Sequence, residues 1–350
     1  MKYLHLFPLD KFTVPYIDFI NSNFKSSEHL FLIIGKNTKG KMEYKENVKH
    51  ITNDLSGLKM LFLEVYKSKK IFLHGLFISK LIIFFLFQPW LLKKSNWLIW
   101  GGDLYFYKFR NKNLKNDLYE LMRKFVIKNM AGLITHVEGD YKLAHEWYGV
   151  KGKYFYSFMY PSNVYKEFDL SASKKNSKKN TTYIQVGNSA SLKNNHIEIF
   201  NVLKQYKQEA IKIICPLSYG NKLYKEKVIK EGYELFGDKF QPIENFMPFN
   251  EYLKILAEVD VAIFNHKRQQ AMGNITTLIG LGKKVYIRDD ITTWDFCNDH
   301  NLTVFSINNE HEDLLSEIAS KTSKKNQKNV KNHFNEEKLK MDWEFIFNYK

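Results

Sequence analysis

Cysteine is scarce in this sequence. Only Cys215 and Cys297 occur among 350 residues. Two thiols cannot build the disulfide framework of a small secreted protein, and no repeated Cys/His spacing indicates a zinc site. This usage is typical of a protein that works in the reducing cytoplasm.

Long hydrophobic runs are also missing. The most apolar segment, Ile71–Leu92, has Leu81–Phe87 as its longest uninterrupted apolar run. A membrane-spanning helix needs about 20 such residues. We expect a buried strand, a turn and an apolar helix, which either packs in the core or lies partly in a membrane interface. Residues 1–10 lack the basic and apolar regions of a signal peptide.

Several well-known chemical motifs are absent. The sequence has no P-loop ending in Gly-Lys-Ser/Thr, no Gly-x-Gly-x-x-Gly fingerprint, no Gly-x-Ser-x-Gly elbow and no HExxH helix. No Asp-x-Asp element ends a predicted strand, and nothing near Asp289 and Asp290 completes a metal site. We therefore predict an activity without a metal and without a cofactor.

The charge is strongly positive. The formal net charge of +16 comes from 53 Lys and Arg against 37 Asp and Glu. Such an excess favours nucleic acid, an anionic membrane or a phosphate-bearing substrate, although an AT-rich genome would produce lysine- and asparagine-rich sequences as well. Because the lysines are spread along the chain and no nucleic-acid-binding motif is present, we predict no nucleic-acid partner.

Short apolar runs alternate with helical patterns in both halves of the chain, which indicates parallel βαβ units. The predicted strands are Tyr3–Phe7, Leu30–Ile34, Ile71–Leu73, Trp97–Trp100, Leu133–His136, Tyr183–Val186, Ile211–Cys215, Val261–Phe264, Lys284–Ile287 and Thr303–Phe305. The predicted helices include Leu55–Ser68, Ile78–Phe87, Leu114–Lys128, Asp140–Tyr148, Leu223–Leu235 and Glu312–Lys321.

A polar, lysine-rich stretch divides the two halves. We predict an N-terminal domain at residues 1–170, a linker at 171–181 and a C-terminal domain at 182–330. The fold class is then α/β, with two Rossmann-like doubly wound domains facing a cleft. In such sheets, ligands bind outside the carboxyl ends of the strands.

Polar loops follow two predicted strands of the C-terminal half. The strand Tyr183–Val186 leads into Gly187, Asn188 and Ser189. A glycine there lets the backbone approach a ligand, and a following helix N-terminus suits a diphosphate, although Asn194 or Asn195 can equally cap that helix. The second loop follows Val261–Phe264 and offers phosphate- and sugar-binding groups: Lys267, Arg268, Gln269, Gln270, Gly273, Asn274, Thr276 and Thr277.

Three candidate bases follow strands of the N-terminal half. Asp103 can deprotonate an acceptor hydroxyl, or it can cap a helix that begins at Leu104. His74 is either an acid/base residue or a hydrogen-bonded structural histidine. Glu138 is the third candidate.

Four of these segments, in this order, resemble the TDP-N-acetylfucosamine:lipid II N-acetylfucosaminyltransferase family. The matching residues are His74, Gly75, Phe77, Ile99, Trp100, Gly101, Asp103, Leu104, Tyr105, Val186, Gly187, Asn188, Ser189, Asn195, His196, Arg268, Gln269, Gln270, Gly273, Leu278, Ile279 and Gly282. The resemblance extends over Ile71–Ile287.

The resemblance implies a glycosyltransferase of GT-B architecture. Its C-terminal domain binds a dTDP-sugar and its N-terminal domain an undecaprenyl-diphosphate-linked saccharide, in the synthesis of enterobacterial common antigen. It also implies a helix within 331–350 that returns to the N-terminal domain. The family works peripherally on the cytoplasmic side of the bacterial inner membrane, which implies an anionic membrane surface as a partner.

The chain departs from the family pattern at three positions. Gly102 replaces alanine, Ala271 replaces glycine and Asn274 replaces threonine. The donor sugar therefore stays open between Fuc4NAc and another acylated amino-6-deoxyhexose, and O-antigen or capsule synthesis is as compatible as common antigen. A sugar-nucleotide epimerase, a nucleic-acid-binding protein and a non-catalytic scaffold are the rival readings.

Overall fold

The computed structural model describes residues 2–35, 45–52, 54–167, 181–308 and 314–349. The chain divides into two compact units, Met1–Val164 with Glu336–Lys350 (unit 1) and Tyr165–Asn335 (unit 2). The boundaries thus fall at 164/165 and 335/336, not at the predicted 170 and 330. Apart from Thr181, the predicted linker lies outside the described residues.

Unit 1 contains a seven-stranded parallel sheet in the order β3-β2-β1-β4-β5-β6-β7. The strands are β1 Tyr3–Pro8, β2 His29–Ile34, β3 Val48–Ile51, β4 Lys70–His74, β5 Ser95–Leu98, β6 Gly132–Thr135 and β7 Lys153–Tyr156. The central strands are apolar along most of their length, because helices cover both faces of a parallel sheet.

The helices of unit 1 connect successive strands. They are α1 Thr13–Asn23, α2 Leu55–Lys67, α3 Ser79–Phe87, α4 Phe106–Phe109, α5 Leu114–Lys128 and α6 Glu138–Tyr148. A short 3-10 helix, Pro89–Lys94, follows α3. The crossovers from β3 through β6 all step in one direction along the sheet, so right-handed connections place α2, α3 and α5 on the same face.

Unit 2 contains a six-stranded parallel sheet in the order β10-β9-β8-β11-β12-β13. Its strands are β8 Thr182–Val186, β9 Ile211–Pro216, β10 Phe240–Ile243, β11 Val261–Phe264, β12 Lys284–Ile287 and β13 Phe305–Ser306. Its helices are α7 His196–Leu203, α8 Lys222–Phe236, α9 Phe249–Glu258, α10 Met272–Gly280, α11 Thr292–Asp299 and α12 Ser320–His333.

A last helix, α13 (Glu336–Asn348), belongs to unit 1 although it follows unit 2 in sequence. Its Trp343 is fully buried and donates through Nε1 to the carbonyl of Met159 at 3.0 Å. Tyr3 of β1 donates to the carbonyl of Phe347 at 3.1 Å. The helix therefore completes the core beside the central strands.

The prediction of a helix at Glu312–Lys321 is wrong for the described part of that range, which begins at residue 314. Residues 314–319 form turns and coil, and α12 begins at Ser320. This polar helix forms because two of its side chains, Asn326 and Val330, are completely buried. Asn326 exchanges hydrogen bonds with the backbone of Thr303, at 2.8 and 2.9 Å.

Among the described residues, no helix combines the length and the apolar character that crossing a membrane requires. Within the apolar segment predicted at Ile78–Leu92, α3 turns one side into the core through Leu81, Ile82 and Phe85.

Candidate active site

The loop after β8 is shaped by a close backbone approach. Gly187 has a φ of +66°, and a Cβ placed there would lie 2.6 Å from His196 Nε2 and 2.7 Å from Asn194 Oδ1. The buried Asn194 accepts a hydrogen bond from Asn188 N at 3.0 Å and donates to Ser189 O at 3.0 Å. Only glycine fits this position without moving the loop.

Neither asparagine caps α7. Asn195 occupies the N-cap position, but its side chain makes no capping bond to the helix. Instead, its Nδ2 donates to the carbonyl of Asn265 at 2.8 Å. Asn195 thus joins the loop after β8 to the loop after β11, the neighbouring strand.

His266 makes the second link between these loops. Its Nε2 lies 2.8 Å from Asn194 Oδ1 and 3.2 Å from Asn188 Oδ1, and Gln270 Nε2 donates to the same Asn188 oxygen at 3.3 Å. Burial, followed by the charge of Arg268, lowers the pKa of His266 to about 3. The neutral ring therefore donates to the amide oxygens. Sequence reasoning missed this residue, because only the distant Asn194 reveals its role.

Cations gather beside this network. Burial, and then the charges of Arg268 and Lys267, lower the pKa of Lys193. The adjacent helix α10 has Ala271 at its N-cap position, and this residue has a left-handed φ of 60° and provides no side-chain cap. Clustered cations and uncapped N–H groups at a helix N-terminus favour a phosphate. We term the loops 187–196 and 265–274 the phosphate loops.

Several buried polar atoms of the phosphate loops make no hydrogen bond within the described part of the chain. These atoms are His196 Nε2, Asn265 Nδ2, Gln269 Oε1 and Gln270 Oε1. Buried polar groups in proteins are nearly always paired. Their concentration here indicates a site that receives a polar ligand.

The other predicted donor-binding residues lie on α10. Gly273 and Asn274 are in its first turn, next to the phosphate loops' cations. Thr276 donates its hydroxyl to the carbonyl of Met272 at 2.9 Å, and Thr277 is buried. The hydroxyl of Thr276 is therefore committed to its own helix.

Arg288, at the end of β12, is a further residue that sequence reasoning missed. Its guanidinium donates to both carboxylate oxygens of Asp290, at 2.8 and 2.7 Å, and to Asn265 Oδ1 at 3.3 Å. Arg288 holds Asn265 in place within the phosphate loops.

Asp103 lies in unit 1, completely enclosed. Four N–H groups donate to its carboxylate: Leu76 N at 2.9 Å and Trp97 Nε1 at 2.7 Å to Oδ2, and Trp100 N and Leu104 N at 3.0 Å to Oδ1. Burial raises the pKa of Asp103, and these donors oppose the shift. It does not cap a helix beginning at Leu104, since α4 begins at Phe106. We interpret Asp103 as a positioning residue that fixes the loops after β4 and β5.

His74 also has both ring nitrogens engaged. Nδ1 lies 2.7 Å from Tyr160 Oη, and Nε2 lies 3.2 Å from His5 Nδ1. His5 Nε2 in turn lies 3.1 Å from His29 Nδ1. If Tyr160 donates to His74, every histidine of this row carries its proton on Nε2, and His74 and His5 each donate to the next histidine. We term His74, His5 and His29 the histidine row.

The row supports an aromatic surface at the carboxyl end of the unit 1 sheet. Trp100 Nε1 donates to Tyr160 Oη at 2.7 Å. The Trp100 ring also packs against Phe12 and the half-exposed Phe77, with centroids 5.3 and 5.6 Å away. Because Tyr160 anchors the indole, the orientation of this surface depends on His74.

Glu138 differs from the other two candidate bases. It opens α6 directly after β6, and its side chain is about half exposed. Its carboxylate forms an ion pair with Lys142, one helical turn further on, at 3.1 Å. Its carboxylate can be reached from solvent.

Both the sequence and the fold of this chain match known proteins. A family model described as 4-alpha-L-fucosyltransferase, glycosyl transferase group 56, matches residues 15–348. The chain belongs to this family. The family resemblance inferred from the four motifs is thereby confirmed, and the protein is a glycosyltransferase.

Solved structures support the fold of this family 56 glycosyltransferase. Anabaena Alr3699/HepE in complex with UDP is 12% identical, with a TM-score of 0.74 over 100% of both chains. WaaG, a glycosyltransferase involved in lipopolysaccharide biosynthesis, is 10% identical, with a TM-score of 0.65 over 100% of both chains. A UDP-forming trehalose-phosphate synthase from Burkholderia xenovorans is 8% identical, with a TM-score of 0.70, covering 100% of this chain and 99% of that one.

These structures are GT-B glycosyltransferases. The predicted α/β class with two Rossmann-like domains is therefore confirmed. At such low identity the likeness concerns the fold alone. Within the described residues of the family 56 enzyme, no group of three histidine, cysteine or acidic side chains is arranged to hold a metal ion.

Replacing Gly187 by alanine should disable the phosphate loops. The added methyl group would lie within 2.7 Å of Asn194 and His196, and the left-handed backbone disfavours alanine. We expect nucleotide binding to weaken at least about tenfold, since a shift of Asn194 breaks its bond to His266. Isothermal calorimetry measures this. Gly237→Ala, also at a left-handed glycine but with nothing near its Cβ, is the matched control. Equal affinities in the two variants would contradict the role assigned to Gly187.

Proposed function

We propose that this enzyme transfers an acetamido-dideoxyhexose, Fuc4NAc or a similar sugar, from a dTDP-sugar to an undecaprenyl-diphosphate-linked saccharide in bacterial surface glycan synthesis. The observation that carries the proposal is the set of buried, unpaired polar atoms in the phosphate loops, beside a group of cations. The resemblance of the four motifs to the N-acetylfucosaminyltransferases supports the choice of donor and acceptor.

In the proposed reaction, an acceptor hydroxyl oxygen bonds to the anomeric carbon of the donor sugar. The bond from that carbon to the diphosphate breaks, and dTDP leaves with the bonding electrons. Arg268, Lys267 and Lys193 stabilise the negative charge that develops on the diphosphate. The N–H groups at the start of α10 act in the same way.

A base must accept the proton of the acceptor hydroxyl. Asp103 and His74 are enclosed and fully hydrogen-bonded, whereas the Glu138 carboxylate is exposed. We assign the base to Glu138 and positioning roles to Asp103 and His74. The Glu138→Gln variant should lose turnover while retaining donor affinity.

The aromatic surface of Trp100, Phe77 and Phe12 suits the acceptor. It lies at the carboxyl end of β4 and β5, where parallel α/β sheets bind ligands. Aromatic rings provide rigid, partly apolar faces on which a sugar ring can pack. The rest of the acceptor, its lipid-linked diphosphate, would be held close to a membrane.

A second donor sugar is compatible with the same site. Ala271 and Asn274, which depart from the family pattern, lie at the N-cap and in the first turn of α10. A different side chain at these positions changes the surroundings of a bound sugar. Another acylated amino-6-deoxyhexose, destined for O-antigen or capsule, is therefore the alternative substrate.

Nucleotide selectivity is the first test. The binding of dTDP, UDP and GDP to the purified protein is measured by calorimetry without added metal. We expect dTDP to bind selectively, and transfer from dTDP-Fuc4NAc to a lipid-linked disaccharide to follow. Preference for UDP or GDP would overturn the donor while leaving the glycosyltransferase family unaffected.

Arg268→Ala should weaken dTDP binding by about 10- to 100-fold, because a charge-assisted contact to a phosphate is worth about 1.5–3 kcal/mol. The control is Lys230→Ala, which removes the same charge from an exposed site on α8. Calorimetry on both variants separates a local contact from the general effect of the charge. Unchanged affinity in Arg268→Ala would remove this residue from the donor site.

We place the enzyme on the cytoplasmic side of the bacterial inner membrane, as a peripheral protein. The lipid-linked acceptor and the positive net charge of +16 support this location. It can be tested by fractionating cells and washing the membranes with high salt, which should release the protein.

A further inference from the structure

Helix α5 presents an apolar stripe to solvent. Leu114, Leu118, Leu121 and Phe125 are 88%, 58%, 65% and 44% exposed. Their spacing of four, three and four residues aligns them on one side of the helix. Val126 and Ile127 cover the opposite side and are fully buried. The buried side also holds the ion pair of Arg123 and Glu120, and core packing on that side does not require the exposed apolar stripe.

The same feature recurs on the neighbouring helices. Exposed apolar side chains on α2, α3 and the following 3-10 helix are Leu55, Leu58, Phe62, Leu63, Tyr66, Ile83, Phe87 and Trp90. Phe62 contacts Phe84 of α3 with ring centroids 6.5 Å apart, and Trp90 Nε1 donates to Tyr66 Oη at 2.9 Å. Together with the α5 stripe, these residues form what we term the outer apolar face.

The residues of the outer apolar face lie on one side of unit 1. Helices α2, α3 and α5 lie on the same face of the sheet, and their buried residues turn toward that sheet. Soluble monomers rarely expose a large contiguous apolar surface, and such surfaces usually bind a partner.

Positive charge surrounds this face. Between residues 54 and 128, ten lysines are exposed, whereas only two carboxylates are: Asp54 and Asp117. The Asp117 carboxylate is paired with Arg110 at 2.9 Å. The exposed lysines are Lys59, Lys67, Lys69, Lys80, Lys93, Lys108, Lys112, Lys115, Lys124 and Lys128.

We propose that the outer apolar face docks onto an anionic lipid bilayer, with α2, α3 and α5 lying in the membrane interface. Apolar side chains enter the boundary between headgroups and acyl chains, and the lysines contact lipid phosphates. A second copy of the chain is disfavoured as the occupant, because it would bring the same positive charge to the contact. The proposal rests on the proposed function for the presence of a membrane-bound acceptor.

This surface extends well beyond the apolar segment that the sequence indicated. Part of that segment, including Leu81, Ile82 and Phe85, packs into the core instead. The larger share of the exposed apolar side chains belongs to α2 and α5, outside that segment.

The test is flotation of the full chain with phosphatidylcholine vesicles, with and without phosphatidylglycerol. The wild-type protein should bind the phosphatidylglycerol vesicles more tightly, and added salt should weaken the binding. The double variant Leu118→Gln and Leu121→Gln should bind at least about tenfold more weakly. The matched control carries Leu223→Gln and Phe246→Gln, which replace two apolar residues of unit 2 that are at least as exposed.

Equal vesicle binding by the stripe variant and the wild type would overturn the proposal. Light scattering is measured in parallel, and a dimer that only the stripe variant dissociates would identify a second copy as the occupant. Calorimetry with dTDP measures donor-site binding independently of vesicle binding. If dTDP does not bind but vesicle binding still depends on the stripe, only the proposed function is contradicted. If dTDP binds but vesicle binding does not depend on the stripe, only the docking surface is contradicted.

Discussion

Lowering the pH from 7.5 to 5.5 is expected to remove about 4 kcal/mol of stability through three buried histidines of unit 1. The three histidines of the histidine row are buried and neutral, because burial lowers the pKa of His5 and His74 well below 6.5 and that of His29 to about 4. In the unfolded chain each histidine takes up a proton below about pH 6.5. Each therefore removes about 1.4 kcal/mol of stability per pH unit below that value, until its folded pKa is reached.

The geometry of the row explains why protonation is costly. Nδ1 of each ring accepts a hydrogen bond, so a proton added at Nδ1 of His5 or His29 would face the N–H of the preceding histidine, and one added at Nδ1 of His74 would face the Tyr160 hydroxyl. Thermal unfolding measured between pH 7.5 and 5.5 tests this prediction. His29→Gln, at the end of the row, should retain about two-thirds of the pH dependence. A melting temperature that stays constant over this range would show that the row is not neutral and buried.

Asp103→Asn is expected to destabilise the protein by at least about 3 kcal/mol, because the new amide group would face N–H donors that now bond to a carboxylate oxygen. Two of the four bonds to Asp103 would be lost in a site from which water is excluded. For a unit of this size, the melting temperature should fall by about 6–12 °C.

The melting temperature of Asp103→Asn distinguishes a positioning role of Asp103 from a role as catalytic base. A base that only accepts a proton would lose turnover on substitution and keep its melting temperature. Asp117→Asn, at an exposed carboxylate, is the control, and its effect on stability should stay below about 1 kcal/mol. An Asp103→Asn protein that melts like the wild type but has lost turnover would restore Asp103 as a catalytic residue.

The strands in the middle of each sheet were predictable from sequence, because they are apolar over most of their length. β3, β7 and β10 were missed, since they lie at sheet edges and each of these four-residue strands has only one buried position. Helix α12 was missed for a related reason. Its sequence is lysine- and asparagine-rich, and the burial of Asn326 depends on a partner 23 residues away.

The polar character of the two phosphate loops was predictable from the sequence, because Gly187 and polar residues follow β8 directly and a longer polar run follows β11. The partners of these residues were not. His266 bonds to Asn194, 72 residues earlier, and His74 to Tyr160, 86 residues later. A local sequence pattern cannot predict a contact between residues so far apart in the chain. The surroundings of Asp103 could not be predicted either. The local sequence of an aspartate at a strand end is the same whether its carboxylate faces solvent or accepts four N–H hydrogen bonds.

The placement of α13 in unit 1 has a consequence for biosynthesis. Its Trp343 fills the core beside strands that leave the ribosome first, yet α13 is translated after the whole of unit 2. Unit 2 is contiguous in sequence and can fold as soon as it emerges, whereas unit 1 must wait with an open apolar surface. Unit 1 is therefore completed only after unit 2 has been made, although most of its residues precede unit 2 in sequence.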